Sequence, residues 1–147
     1  MIATLRWFIF QEYDISLTTK NLASCPVCRN TGIPLHLEKM TNDYTFFCNH
    51  CGTEIFLTDV FRLHEAIDEE LGAGGILGYL MTTLEQIILV HFIRLILKIK
   101  PALLEEILFV KDGPLAFFEQ TANMHSPMRS LVNFLFKYHN FYLNLLT

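Results

Sequence analysis

No charge-free stretch in the most apolar part of this 147-residue sequence reaches the length of a membrane-spanning helix. The most apolar region, Leu71 to Val110, carries Glu85, His91, Arg94, Lys98, Lys100, Glu105 and Glu106. Its longest charge-free stretch, Leu71–Leu84, falls short of the roughly 20 residues that a spanning helix needs. The region therefore reads as core, and no membrane is expected among the partners. A secretory signal is lacking too: "MIATLRWFIFQEYD" holds Arg6 inside its apolar run and has no small-residue cleavage pattern. No cysteine lies outside two Cys-x-x-Cys pairs, which argues against a disulfide framework and points to a reducing, cytoplasmic compartment. Positive charge is scarce. At a formal net charge of −4 the chain has no global field to recruit nucleic acid, so any such contact is a local patch. "GAGG" at 72–75 lacks the Gly-Lys-Ser/Thr ending of a phosphate loop and reads as a flexible turn. Repeats and low-complexity segments are absent.

Apolar residues make up 52% of the chain, which is high for a free-standing soluble domain. That suits an almost all-core chain, a chain with a buried partner, or a fragment whose other part covers apolar faces. Ile2, Leu5, Phe8 and Ile9 share one face of a helix over residues 2–15, and Lys20–Ser24 reads as a connector. Leu35–Lys39 and Tyr44–Cys48 flank the turn "MTND" and predict a hairpin. Asp59–Leu71 reads as a helix capped by Thr58 or Asp59 and ended by Gly72, and a long helix follows from Ile76 to Ile99, stopped by Pro101. Ile107–Val110 and "FYLNLL" at 141–146 read as strands, with a helix opening at Ser126-Pro127 between them. The order predicts a mixed α/β domain with a small metal module: a helix and connector at 1–24, the module at 25–57, and an α/β region at 58–147.

"CPVC" at 25–28 and "CNHC" at 48–51 are separated by nineteen residues. This is the spacing of a zinc ribbon, in which Cys25, Cys28, Cys48 and Cys51 each give a thiolate to one tetrahedral Zn²⁺. A closed four-cysteine site is structural, because no coordination position is left for substrate. His50, between two ligands, is expected to be exposed, and Gly52 to ease the backbone around the sulfurs. The module is electrically neutral, with Lys20, Arg29 and Lys39 against Glu38, Asp43 and Glu54, so a folding clip or protein contact fits as well as nucleic acid.

Two acids sit in apolar settings. On a helical wheel Ile87, His91, Arg94 and Lys98 form a mostly polar stripe. Glu85 falls opposite it, with Met81, Leu89, Phe92 and Ile96, and is expected to face the core. Such a carboxylate is either paired inside the fold or used as a metal or catalytic ligand. Asp112, in "ILFVKDGPLAFF", is either a turn residue beside Gly113 and Pro114 or an acid at a strand end, where open α/β sheets often hold their active sites. Clustered carboxylates of this kind hold the Mg²⁺ or Mn²⁺ of metal-dependent nucleases. Among weaker candidates, His64 reads as a core histidine. Glu65, Asp68, Glu69 and Glu70 read as a solvated face, and Arg94, Lys98, Lys100 and Lys111 as either a basic track or solubilising charge.

"FVKDGPLAFFEQTANMHSPMRSLVNFL" resembles the DGPL region of NurA-domain nucleases, and the resemblance extends back through "LTDVFRLHEAIDEELGAGGILGYLMTTLEQIIL" to the subgroup with a zinc ribbon inserted upstream. It covers Thr58 to Leu146. It implies an RNase H-like fold, DNA-end processing with Mn²⁺ or Mg²⁺, a HerA-type hexameric ATPase and DNA as partners, and possible homodimers. Asp112 would match the family's DGPL aspartate and Glu85 its helical glutamate. The family's first acid, in an Asp-Gly-Ser/Thr-like motif, has no clear match, since Asp14 in "EYDIS" is not followed by glycine. The resemblance thus implies a partial nuclease domain, active or inactive.

Overall fold

The computed structural model describes residues 1–14, 20–67, 69–70, 72–111 and 124–142. The first helix, α1 (Ile2–Ile9), buries Thr4, Leu5, Phe8 and Ile9 on one face, as its spacing predicts. It ends earlier than expected, because Gln11 takes a positive φ of 51° and reverses the chain. Arg6 then clasps Glu12 through two hydrogen bonds of 3.0 and 2.8 Å, a bidentate pair that closes the helix end.

The connector expected at Lys20–Ser24 is instead a strand, β1 (Lys20–Ala23), paired antiparallel with β2 (Ile33–His36). β3 (Thr45–Phe47) pairs with β4 (Glu54–Phe56). The "MTND" turn does form, with Tyr44 N–H donating to the Thr41 carbonyl at 3.1 Å, but the segments it joins belong to two different hairpins. In each hairpin a Cys-x-x-Cys knuckle is the connection, so Ala23 lies opposite Ile33 across the first and Phe47 opposite Glu54 across the second.

The helix expected at Asp59–Leu71 is replaced, over its described residues, by two short 3₁₀ turns, Leu57–Phe61 and Leu63–Glu65. Asp59 Oδ2 accepts the Phe56 N–H at 2.8 Å at the start of the first. Arg62 at φ 54° breaks the two apart, and its guanidinium grips Glu65, with Nε 2.9 Å from Oε1. That ion pair holds the Glu65 carboxyl below its usual range.

Residues 72–75, "GAGG", do not form a flexible turn. They are the first turn of α2 (Gly72–Ile99), a 28-residue helix. Glycine costs about 1 kcal/mol relative to alanine inside a helix, and the six turns that follow outweigh it. Pro101 stops α2 as expected and opens a 3₁₀ turn, Pro101–Glu105. No strand forms over Ile107–Val110, where Leu108 and Val110 are 84% and 86% exposed. The final helix, α3 (His125–His139), starts one residue before Ser126. It buries Pro127, Met128, Leu131 and Leu135 and ends at Asn140 in the left-handed conformation. Of "FYLNLL", Phe141 and Tyr142 are irregular, and residues 143–147 lie outside the described set.

One core joins these parts: Phe8 and Ile9 of α1, Ile33 and Leu35 of β2, Ile55 of β4, Ile93 of α2 and Leu131 of α3 belong to a single buried cluster. The fold is thus a mixture of helices with two small sheets built around the cysteines.

Candidate metal centre

The cysteine sulfurs all lie within 4.8 Å of one another. Cys25 Sγ is 3.7 Å from Cys51 Sγ, and Cys28 Sγ is 3.8 Å from Cys48 Sγ. A tetrahedron with metal–sulfur bonds of about 2.3 Å has edges of about 3.8 Å, so these separations fit four-thiolate coordination. They are far too long for a disulfide, whose sulfurs sit about 2.05 Å apart. Among the described residues this is the one cluster of cysteine, histidine and acidic side chains with metal-holding geometry.

Both knuckles follow the same backbone path. Arg29 N–H donates to the Cys25 carbonyl at 3.0 Å, and Gly52 N–H to the Cys48 carbonyl at 2.9 Å. Cys25 N–H donates to Asn30 and Cys48 N–H to Thr53, at 2.9 and 2.8 Å, closing each loop at its base. The residue after the second cysteine takes a positive φ in both, 60° at Arg29 and 73° at Gly52. Glycine adopts that conformation without steric cost, whereas arginine bears about 1 kcal/mol there. The His50 amide donates to Cys48 Sγ at 3.4 Å, and the His50 residue is exposed.

Cys25 and Cys48 are buried, Cys28 half-buried and Cys51 exposed. The Thr53 hydroxyl and amide beside Cys51 lower its thiol to about 6, with Thr53 Oγ1 at 3.2 Å. At Cys28 the Asn30 backbone favours the thiolate, but desolvation and the three neighbouring sulfurs outweigh it and raise the thiol to about 12. Four thiols this close cannot all ionise alone, and a bound cation resolves the conflict. The sequence pattern identifies all four cysteines of the cluster. It does not identify Thr53, whose signal is only that it follows the glycine after the knuckle.

The two acids fare differently. Glu85 does not face the core: its side chain is 52% exposed and ion-paired with Lys111, Nζ to Oε2 at 3.1 Å. Leu89 is buried as the wheel predicts, but Met81 and Phe92 beside it are not. The buried face of α2 is centred on Thr83, Ile87, Val90 and Ile93, and His91 and Arg94 flank it toward α1. Their polarity is satisfied there by Thr4, fully buried, whose Oγ1 lies 2.6 Å from His91 Nδ1 and accepts from Arg94 Nη1 at 3.2 Å. With the polar groups bonded inward, Met81 and Phe92 are left 63% and 51% exposed. Asp112 lies outside the described residues. His64 is half-buried, with Nε2 3.4 Å from Ser24 Oγ. Of the supposed basic track, Lys111 is turned to Glu85, while Arg94 and Lys98 line a separate cleft. By length and composition α2 could cross a membrane, and one third of its most apolar window is buried in the fold.

No protein-family model matches the chain, and neither a curated protein nor a solved structure does.

Proposed function

We propose that this chain is a metal-dependent DNA nuclease region of RNase H-like fold, similar to NurA domains, carrying a structural Zn²⁺ in its ribbon. The observation that carries this reading is the Lys111–Glu85 ion pair. It brings the residue next to Asp112 within one lysine side chain of Glu85, from segments 26 positions apart in sequence. Asp112 and Glu85 are the acids that would hold Mn²⁺ or Mg²⁺, which when bound lowers the pKa of water and stabilises charge on a phosphodiester. Lys111 offsets the negative charge of Glu85 before a metal arrives. The exposure of Glu85 leaves it open to a substrate backbone. DNA and a HerA-type ATPase are the partners this reading implies, in the cytoplasm. Asp112→Asn and Glu85→Gln are each expected to lower Mn²⁺-dependent DNA degradation by roughly a hundredfold. Wild-type rates in both variants would remove the assignment.

A non-catalytic scaffold is the second reading, favoured by one observation on α2. Leu77, Met81, Leu84, Ile88, Phe92 and Ile99 are all exposed large apolar residues, and with half-buried Leu95 they continue one stripe. The stripe is symmetric about Ile88. In an antiparallel pair Leu77 would face Ile99, Met81 would face Leu95, and Leu84 would face Phe92. The occupant it fits is a second copy of α2. Joining two copies along it would bury roughly 1,200 Å², the lower edge of standard interfaces. Wild-type protein is then expected to sediment as a dimer and Ile88→Glu, which sets like charges on the axis, as a monomer. A wild-type monomer that floats with lipid vesicles would assign the stripe to membrane instead.

A further inference from the structure

Between α1, the turn after it, α2 and α3 lies a cleft of about 370 Å³, lined by Trp7, Tyr13, Arg94, Leu97, Lys98, Phe134 and His139. It falls within the size range of small-molecule sites. Three aromatic rings form its walls. Tyr13 stands 4.9 Å from both Trp7 and Phe134, centroid to centroid, tilted by 57° and 53°, so the rings make a bent surface and not a closed stack. All three are half-buried.

Arg94 and Lys98 are one turn apart on α2, so they share a face and repel each other. Among the described residues no carboxylate lines the cleft. Among the described residues Lys98 has no ion-pair partner, and the single protein acceptor of Arg94 is Thr4 Oγ1. Thr4 is buried and also bound to His91, which fixes one end of the guanidinium and leaves its other donors available. Burial, with Asp14 nearby, pushes the Tyr13 phenol above its ordinary range, so that wall stays neutral. A paired positive charge beside flat apolar rings, in a chain of net charge −4, calls for a ligand that is both aromatic and anionic.

We propose that this cleft binds a nucleoside phosphate, its base against Trp7 and Phe134 and its phosphate on Arg94 and Lys98. The ligand is either a free nucleotide or one unit of a single strand, since stacking and phosphate recognition are common to both. Glu85 does not line the site.

Trp7 is the sole tryptophan of the chain, so its fluorescence reports on the cleft directly. Adenosine monophosphate and a short oligodeoxyadenylate are expected to quench it saturably, with adenosine and inorganic phosphate at least about tenfold weaker. Lys98→Gln, at an exposed position, and Arg94→Gln should each weaken the nucleotide by about tenfold, with circular dichroism confirming the fold. Glu85→Gln should leave the quench unchanged, so failure of the nuclease reading and failure of this one are separable. Oligonucleotide binding that is much tighter and steeply salt-dependent identifies a strand as the source, and equal binding identifies a free nucleotide. The proposal is overturned by the absence of saturable quenching, by adenosine binding as tightly as its phosphate, or by Lys98→Gln behaving as wild type.

Discussion

Removing the metal is expected to unfold the ribbon and loosen the whole molecule. Each sheet has only two strands, of three or four residues, and such hairpins are marginal on their own in water. What holds them together is the cluster of Cys25, Cys28, Cys48 and Cys51 at their shared end. Structural zinc sites of this class contribute on the order of 10 kcal/mol of apparent binding free energy, which is comparable to the whole stability of an ordinary domain. The loss would not stay local, because Ile33, Leu35, Ile55 and Leu57 belong to the same buried cluster as Phe8 and Ile93. A strong chelator, or Cys25→Ser at a fully buried ligand, should therefore reduce the far-ultraviolet signal and expose apolar surface. Falling pH acts in the same direction, because protons compete with the metal for each thiolate. Elemental analysis of anaerobically purified protein should find one zinc per chain. A metal-free chain with an unchanged spectrum and thermal midpoint would refute the structural role.

The second large effect is expected at Phe8. Its side chain is fully buried, and α1 meets α2, α3 and the Leu57–Phe61 turn. Truncation to alanine leaves a cavity at a junction of several elements, where no single element can collapse to fill it. The expected cost is about 3–5 kcal/mol. For a chain of this size that lowers the midpoint by roughly 10 °C in zinc-loaded protein. Ile2, on the same helix but exposed, is the internal control: Ile2→Ala should change the midpoint by little. Equal midpoints for the two variants would show that α1 does not hold the core together.

What could be read from the sequence follows from where the physics is local. The metal module is legible because ligand spacing alone constrains it: two knuckles are useless unless they converge. Its strand pairing is not. "KNLA" at Lys20–Ala23 has no strand-like alternation, and its pairing with Ile33–His36 is imposed by the knuckle between them. The interior of α2 and its stop at Pro101 are legible, but its first turn is hidden by three glycines that helix propagation overrides. Its buried face is not legible from periodicity, because hydropathy counts His91 and Arg94 as outward. A buried threonine on a helix 87 residues away makes them compatible with the interior, and no periodicity within α2 carries that information. For the same reason Glu85 cannot be placed from the wheel. Ile107–Val110 has strand composition, yet a strand forms only against an edge, and none is offered to it among the described residues.

The span of the Thr4–His91 contact also governs the order of events during synthesis. At about 5–20 residues per second, roughly 4–17 seconds pass between the translation of Thr4 and that of His91. The two cysteine hairpins close over short separations and are made within that interval. α1, whose Leu5, Phe8 and Ile9 need α2 for cover, must wait with its greasy side unsheltered. During that interval the nascent chain is most open to chaperone capture or cleavage, and the cysteine hairpins offer the first surface on which its N-terminal helix can rest.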